Sequence, residues 1–417
     1  MSSKWPQLAV LSLVELLAMS LWFSTSSVVG QLETAWELGS AEKAWLTMSV
    51  QLGFVVGTLA SAVLNLADRL AAHRLVAISA LLGGLFNAAI ALGISDAAGR
   101  TSGGFAAVIA LRMLTGVALA GVYPPGMKLM ATWFREGRGL AIGVLVGALT
   151  LGSASPHLLN TLPLVEWLGE TSAGLAAWKL MMLSASGAAI VAALLAMLLV
   201  RTGPLLPAAT KFRWDYFLQI WRQVAVRRAN FGYLGHQWEL YAAWTWVPVL
   251  LIESYTKAGH EESSGRLAAF AMVGVGAIGC ALAGALADRI GRTRITIASL
   301  VISCACTLTA GFLIDYPGLL TAVCMVWGFA IVADSAQFST AVSELGEPSH
   351  VGTALTIQTC VGFLLTMVTI NMVSVLYPIV GWGLALALLA PGPIFGIYHM
   401  ARLRGMPEAE KMASGNR

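Results

Sequence analysis

The sequence predicts an all-α membrane protein of twelve transmembrane helices, folded as two pseudo-symmetric six-helix bundles. Three observations lead there. Of 417 residues, 58% are hydrophobic and 11% charged, against about 45–50% and 25% in ordinary soluble chains. The apolar residues form long continuous runs, without the alternation of a barrel strand, and at about 20 residues per span they suffice for roughly twelve spans. A short charged motif recurs 220 residues along the chain, close to half its length, as in duplicated membrane proteins. This composition excludes a soluble enzyme, a disordered chain, a disulfide scaffold and a nucleic-acid-binding module. The net charge of +4 is too small to call for a polyanionic partner.

The spans fall at 7–30, 44–66, 74–94, 104–132, 139–161, 176–200, 230–252, 267–287, 295–314, 318–341, 352–376 and 379–401. The first run is longer than a signal-peptide core and has no convincing cleavage site, so it counts as a span. Tyr123-Pro124-Pro125-Gly126 predicts a kink in the fourth span, and Pro156, Pro248, Pro391 and Pro393 interrupt others. The division is then an N-terminal bundle over 1–200, a linker over 201–229, a C-terminal bundle over 230–401 and a tail over 402–417. The linker carries six Lys and Arg residues. From Trp214 to Val226 its apolar residues Phe217, Ile220, Trp221 and Val224 share one helix face, predicting a helix lying along the membrane surface.

Orientation follows from Lys and Arg. With the N-terminus inside, eighteen of the 25 fall in inside regions and five outside. This bias predicts both termini in the cytoplasm of a multi-pass protein of the cell membrane. One inside loop, 342–351, runs against it with Glu344 and Glu347 and no Lys or Arg.

Cys280, Cys304, Cys306, Cys324 and Cys360 lie in apolar runs without CxxC or metal-ligand spacing and read as core. Gly274, Gly276 and Gly279 match G-x-G-x-x-G, but inside an apolar span with no preceding strand, so they predict a packing surface rather than a dinucleotide site. No phosphate-binding G-x-x-x-x-G-K-[ST] loop occurs. No cofactor or metal is predicted.

Five charges lie well inside spans: Glu15 on the first, Arg112 and Lys128 on the fourth, Glu239 on the seventh and Asp334 on the tenth. A charge at mid-bilayer costs roughly 2.5–3.5 kcal/mol even on lenient scales, so each needs a reason. Lys128 is close enough to the inner edge to snorkel. His236 and Glu239 are three residues apart and share a helix face. Gln237, Tyr241 and Trp244 form a second, polar-aromatic stripe. Asp334, Gln337 and Phe338 share a face of the tenth span. Asp334 can meet Glu239, His236 or Lys128, and Glu15 can meet Lys128. A carboxylate beside an imidazole is a pair able to take up and release a proton.

The repeated motif is Leu66-Ala-Asp68-Arg69 in the first half and Gly284-Ala-Leu286-Ala-Asp288-Arg289-Ile-Gly291-Arg292-Thr-Arg294 in the second. A carboxylate at a helix exit can face the positive N-terminal end of another helix and pair with Arg, a contact of about 1 kcal/mol that can open and close. Asp68, Arg69, Asp288, Arg289 and Arg292 are therefore candidate gating residues.

Gly284–Arg294 resembles the loop signature G-x-L-x-D-R-x-G-R-x-R of the major facilitator superfamily. The first copy has Leu64, Ala71 and Ala72 where that signature has Gly, Gly and Arg. Leu111-Arg112-x-x-Thr115-Gly116 resembles the family's proton-transfer motif. Trp133-Phe134-Arg135-Glu136-Gly137-Arg138-Gly139 is similar to its usual exit from the fourth span. Gly143, Gly147, Gly152 and Pro156 partly resemble its exchanger motif, which has a Gly-Pro pair where this chain has Pro156-His157. The resemblance covers the whole chain and leans toward the anion, cyanate- and nitrate-type permeases. It implies that spans one, four, seven and ten line a central cavity, and that Arg112 serves proton coupling or meets a substrate anion. The expectation is a monomeric secondary transporter in the lipid bilayer. It would move a small polar or amphipathic solute, an organic or inorganic anion foremost, by alternating access with proton coupling. Candidate solute or proton residues are Glu15, Arg112, Lys128, His236, Gln237, Glu239, Tyr241, Trp244, Asp334 and Gln337. The alternatives are a proton-linked exporter of drugs or metabolites and a non-transporting membrane sensor. No nucleophile–base or metal constellation calls for an enzyme.

Overall fold

The computed structural model describes residues 3–64, 66–134, 138–159, 176–205, 220–347 and 351–416, without the side chains of 67, 68 and 138. The described residues are helical nearly throughout and contain no strand. We number the spans α1 (Lys4–Met19), α2 (Ser40–Val63), α3 (Ala72–Gly93), α4 (Ser102–Ala131), α5 (Arg138–Leu159), α6 (Ala177–Leu199), α7 (Val224–Lys257), α8 (Glu262–Ile290), α9 (Arg292–Leu313), α10 (Pro317–Leu345), α11 (351–380) and α12 (382–404).

Among the described residues nine helices are long and apolar enough to cross a membrane, one being the 54-residue stretch Val351–Arg404. That stretch turns at Gly381, whose φ of +77° suits glycine, and so supplies two spans. α7 carries His236, Gln237 and Glu239 in its buried stretch, which lowers its mean hydropathy. α1 stops short at Met19 because Ser20 and Ser24 turn their hydroxyls back onto the carbonyls of Leu17 and Leu21, competing with the helical ladder. The chain then continues through the short helix Val29–Trp36. Together these complete the twelve predicted spans.

Other breaks follow local chemistry. α4 is interrupted at 120–122, where Pro124 and Pro125 can supply no amide donors to the preceding turn and instead start the next helical segment. α10 breaks at Asp334, and α8 breaks beside it at Val275. Pro248 is absorbed within α7 without ending it.

The N-terminal and C-terminal spans meet along two seams. In one, α5 packs on α8 with almost no side chain between them: a Cβ at Gly143 would lie 2.8 Å from the carbonyl oxygen of Cys280, the close approach that small residues allow in membranes. In the other, α2 packs on α11, where Thr366 donates to Gln51 Oε1 at 2.8 Å and Ser374 to the Ser40 carbonyl at 2.8 Å. All five cysteines are free and buried. Both chain ends lie on one face, called here the terminal face. Of the predicted surface helix over Trp214–Val226, 214–219 lie outside the described residues; over 220–226 Ile220 is buried, Trp221 half-buried, and Arg222 and Val224 exposed.

Candidate functional site: a central cavity and its flanking charge networks

A cavity of about 50 Å³ lies between the two sets of spans, room for roughly four waters. Tyr123 and Met127 of α4 and Val146 and Thr150 of α5 face Tyr233, Gln237 and Tyr241 of α7, Ser335 and Ser339 of α10 and Thr359 of α11. The predicted stripe of Gln237, Tyr241 and Trp244 does line it, and Gln237 Nε2 donates to the Tyr233 hydroxyl at 2.6 Å. Trp22, Phe54, Tyr241 and Phe363 roof the cavity away from the terminal face, with ring centroids 4.8–5.6 Å apart. These rings come from both sets of spans, so their contact closes one side of the cavity. Among the described residues no charged one lines it.

The five intramembrane charges stand behind this wall. Arg112 is fully buried and turned toward α1 and α2: its Nη2 donates to the Trp22 carbonyl at 2.6 Å, Nη1 to the Leu21 carbonyl at 2.9 Å and Ser24 Oγ at 3.1 Å, and Nε to the Leu46 carbonyl at 3.2 Å. It is the donor to the Trp22 carbonyl, freed by the break after α1, and adds a charged donor to the carbonyls of Leu21 and Leu46, which also accept from Ser24 and Ser49. Glu239 does not meet Asp334 through a hydrogen bond. It turns to α9, accepting from Ser303 at 2.7 Å and Thr307 at 3.0 Å, while Trp327 donates to Ser303. Glu15 is fully buried, and its carboxylate occupies the space beside Gly126 where a Cβ would sit. Neither of its oxygens has a hydrogen-bond partner among the described residues. Lys128 is partly exposed near the terminal face.

His236 and Asp334 do meet. Nδ1 of the imidazole lies 3.0 Å from Asp334 Oδ1, both side chains being about 1% exposed. The pair joins α7 to the break in α10, next to the cavity residues Val332 and Ser335. One turn further along α10, Gln337 accepts from Arg292 Nη1 at 2.9 Å. Arg292 holds Glu344 in a two-point contact at 2.6 and 2.7 Å and Asp288 at 3.2 Å. Glu344, the acid that ran against the charge bias of its loop, is thus the main partner of Arg292. Asp288 lies against the first turn of α5: a Cβ at Gly139 would be 2.8 Å from its Oδ2. Gly291, with φ of +102°, makes the tight turn that sets Arg292 there. Arg69 and Arg289 are exposed, and the side chain of Asp68 lies outside the described residues.

Sequence reasoning missed Tyr123, Tyr233, Ser335, Ser339, Thr359 and Phe363, all uncharged. The i, i+4 spacings of Tyr233–Gln237 and Ser335–Ser339 are the signal that could have found them.

A small cavity between two sets of six spans, with a cluster of ion pairs toward the terminal face, fits a secondary transporter. Residues 11–370 match the Major Facilitator Superfamily, and the chain belongs to that superfamily. Its fold is similar to the proton:xylose symporter XylE bound to 6-bromo-6-deoxy-D-glucose, with a TM-score of 0.73 and 15% identity over 96% of each chain. It is also similar to a bacterial homologue of the human lysosomal transporter Spinster in an inward-facing, unoccupied conformation, with a TM-score of 0.67 and 15% identity over 99% of this chain and 98% of the other. No curated protein matches the chain significantly.

Proposed function

We propose that this protein couples movement of a small amphipathic solute to protons. The single observation carrying this reading is the buried His236–Asp334 contact, set at the break of a helix whose next residues line an uncharged, aromatic cavity. The solute contacts Gln237, Tyr241 and Trp244, with Tyr233, Ser335 and Ser339 supplying hydroxyls. Asp334 carries the proton and His236 shares it. A change of charge there is felt by α10, and Gln337 passes it to Arg292, Asp288 and Glu344, which gate the terminal face. That face is the cytoplasmic one by the Lys and Arg bias. The bundles over 1–200 and 230–401, joined by the linker over 201–229, rock about the cavity as a monomer.

The lining favours one of the two transport readings. A cation in the wall is what most strongly holds an anion, whereas the lining residues are uncharged and Arg112 is engaged with backbone carbonyls. Aromatic rings with scattered hydroxyl and amide groups suit a neutral or amphipathic cargo, which favours the exporter-type alternative over the anion permease.

The test is proton release from purified protein in weakly buffered detergent, on adding organic anions, cations and neutral amphipaths one at a time. A neutral or amphipathic compound should release protons from the wild type and not from Asp334→Asn. A response confined to anions would overturn the cargo class, and an undiminished response in Asp334→Asn would overturn the proton site.

A further inference from the structure

Where α12 meets the start of α7 at the terminal face, the surface changes from apolar to basic within two helix turns. Phe395, Tyr398 and Arg402 lie at i, i+3 and i+7 on one stripe of α12, all exposed. Ile394 beside them is exposed as well, as expected of a surface bathed in acyl chains. The guanidinium of Arg228 lies 5.8 Å and that of Arg402 5.5 Å from the centre of the Tyr398 ring, so two cations share one phenol. Arg228 Nη1 also contacts His399 Nδ1 at 2.8 Å; the guanidinium donates, so that nitrogen carries no proton. Arg227 is fixed nearby by its contact with the Trp221 carbonyl at 3.1 Å, and Arg222 is exposed on the same approach. Trp221, Phe231 and Phe395 form an aromatic wall, with centroids 5.6–5.8 Å apart. The N-terminus of α7 adds its positive end and has no side-chain cap.

Among the described residues this cluster holds no anion. Among the described residues no carboxylate pairs with Arg222, Arg227, Arg228 or Arg402. Two guanidiniums over one ring, with Arg222 and Arg227 close by in the chain, repel unless something neutralises them, and an aromatic wall facing acyl chains beneath a basic rim is where a phosphodiester headgroup sits. We propose that the α7–α12 groove binds an anionic phospholipid. Its phosphate rests between Arg228 and Arg402 over Tyr398, and its chains run along Phe395 and Ile394. The solute cavity, the Asp334 pair and the Arg292 latch take no part, so the site stands or falls independently of the transport reading.

The experiment is native mass spectrometry of the full chain, titrated with phosphatidylglycerol, phosphatidylcholine or inorganic phosphate. Two basic contacts predict a preference for phosphatidylglycerol over phosphatidylcholine of about ten-fold or more. Arg228→Gln with Arg402→Gln should remove most of it, and Arg402→Gln alone should remove part. Because Arg402 is exposed, the single variant keeps the test clear of misfolding, and Arg100→Gln on the opposite face should change nothing. Preference undiminished in both variants would overturn the proposal. Displacement of the lipid by millimolar inorganic phosphate, with matching phosphate uptake in the absence of lipid, would also overturn it in favour of a free anion.

Discussion

The two halves of this transporter handle buried charge in opposite ways. In the N-terminal half Arg112 spends its donors on the carbonyls of Leu21, Trp22 and Leu46 and on Ser24, so its charge is locked into backbone that must be satisfied whatever state the protein occupies. In the C-terminal half the charges meet other side chains: His236 with Asp334, and Arg292 with Asp288, Glu344 and Gln337. Side-chain partners can be exchanged by a rotamer change or a proton, whereas carbonyls freed by a helix break cannot. On the proposed reading, one buried charge is a rivet and another a switch, and the partner tells them apart.

The contrast can be broken most severely at the rivet. Arg112→Ala leaves the Trp22 carbonyl without a donor, at a cost of about 1–3 kcal/mol, and strips the Leu21 and Leu46 carbonyls of a charged donor beside Ser24 and Ser49. The expected outcome is loss of folded protein in detergent, seen as a collapse of the monodisperse chromatographic peak, with Arg112→Lys recovering part of it. A stable Arg112→Ala protein defective only in transport would move Arg112 into the switch class.

At the switch, Asp334→Asn should leave the protein folded yet reduce proton-linked transport by about ten-fold or more, the scale of a lost proton carrier. Counterflow without a proton gradient should suffer far less. Equal loss in both assays would make the His236 contact a structural tie.

Glu239→Gln sharpens the comparison inside one half. Ser303 and Thr307 donate to different carboxylate oxygens, so in the amide one hydroxyl keeps its acceptor while the other must turn to accept from the NH2 group; the change should alter proton-linked transport by no more than about three-fold, within the roughly 1 kcal/mol worth of one hydrogen bond. A loss as deep as that of Asp334→Asn would put two carboxylates on the proton route.

The smallest effect is expected at the mouth. Glu344→Gln removes one charge from a partly exposed pair worth about 1 kcal/mol or less. It should shift the balance of conformations by about two-fold, read as faster labelling of a cysteine introduced at Ser339 from the terminal face. Unchanged labelling would mean that Arg292 and Glu344 stabilise the C-terminal half without closing it.

Much of this was legible in the residues. Apolar run length shows twelve spans because a bilayer imposes a fixed thickness on every one of them. The motifs at Gly284–Arg294 and Leu111–Gly116 resembled those of the superfamily, and helical periodicity showed that Gln237, Tyr241 and Trp244 share a face. The opposing Glu344 was visible as an anomaly in a basic face, though its partner was not. The identity of the ionisable residues also followed from sequence, since a charge within a hydrocarbon span is conspicuous by its cost.

Which way each charge points was decided only by the tertiary structure. Arg112, Glu239 and Asp334 look alike along the chain, each a lone charge in an apolar helix. Their roles diverge because α1 breaks beside Arg112, α9 brings Ser303 and Thr307 to Glu239, and α7 brings His236 to Asp334. Hydropathy measures only how costly a charge is to bury. The compensation comes from whichever helix packs alongside, and that is a property of the assembled bundle.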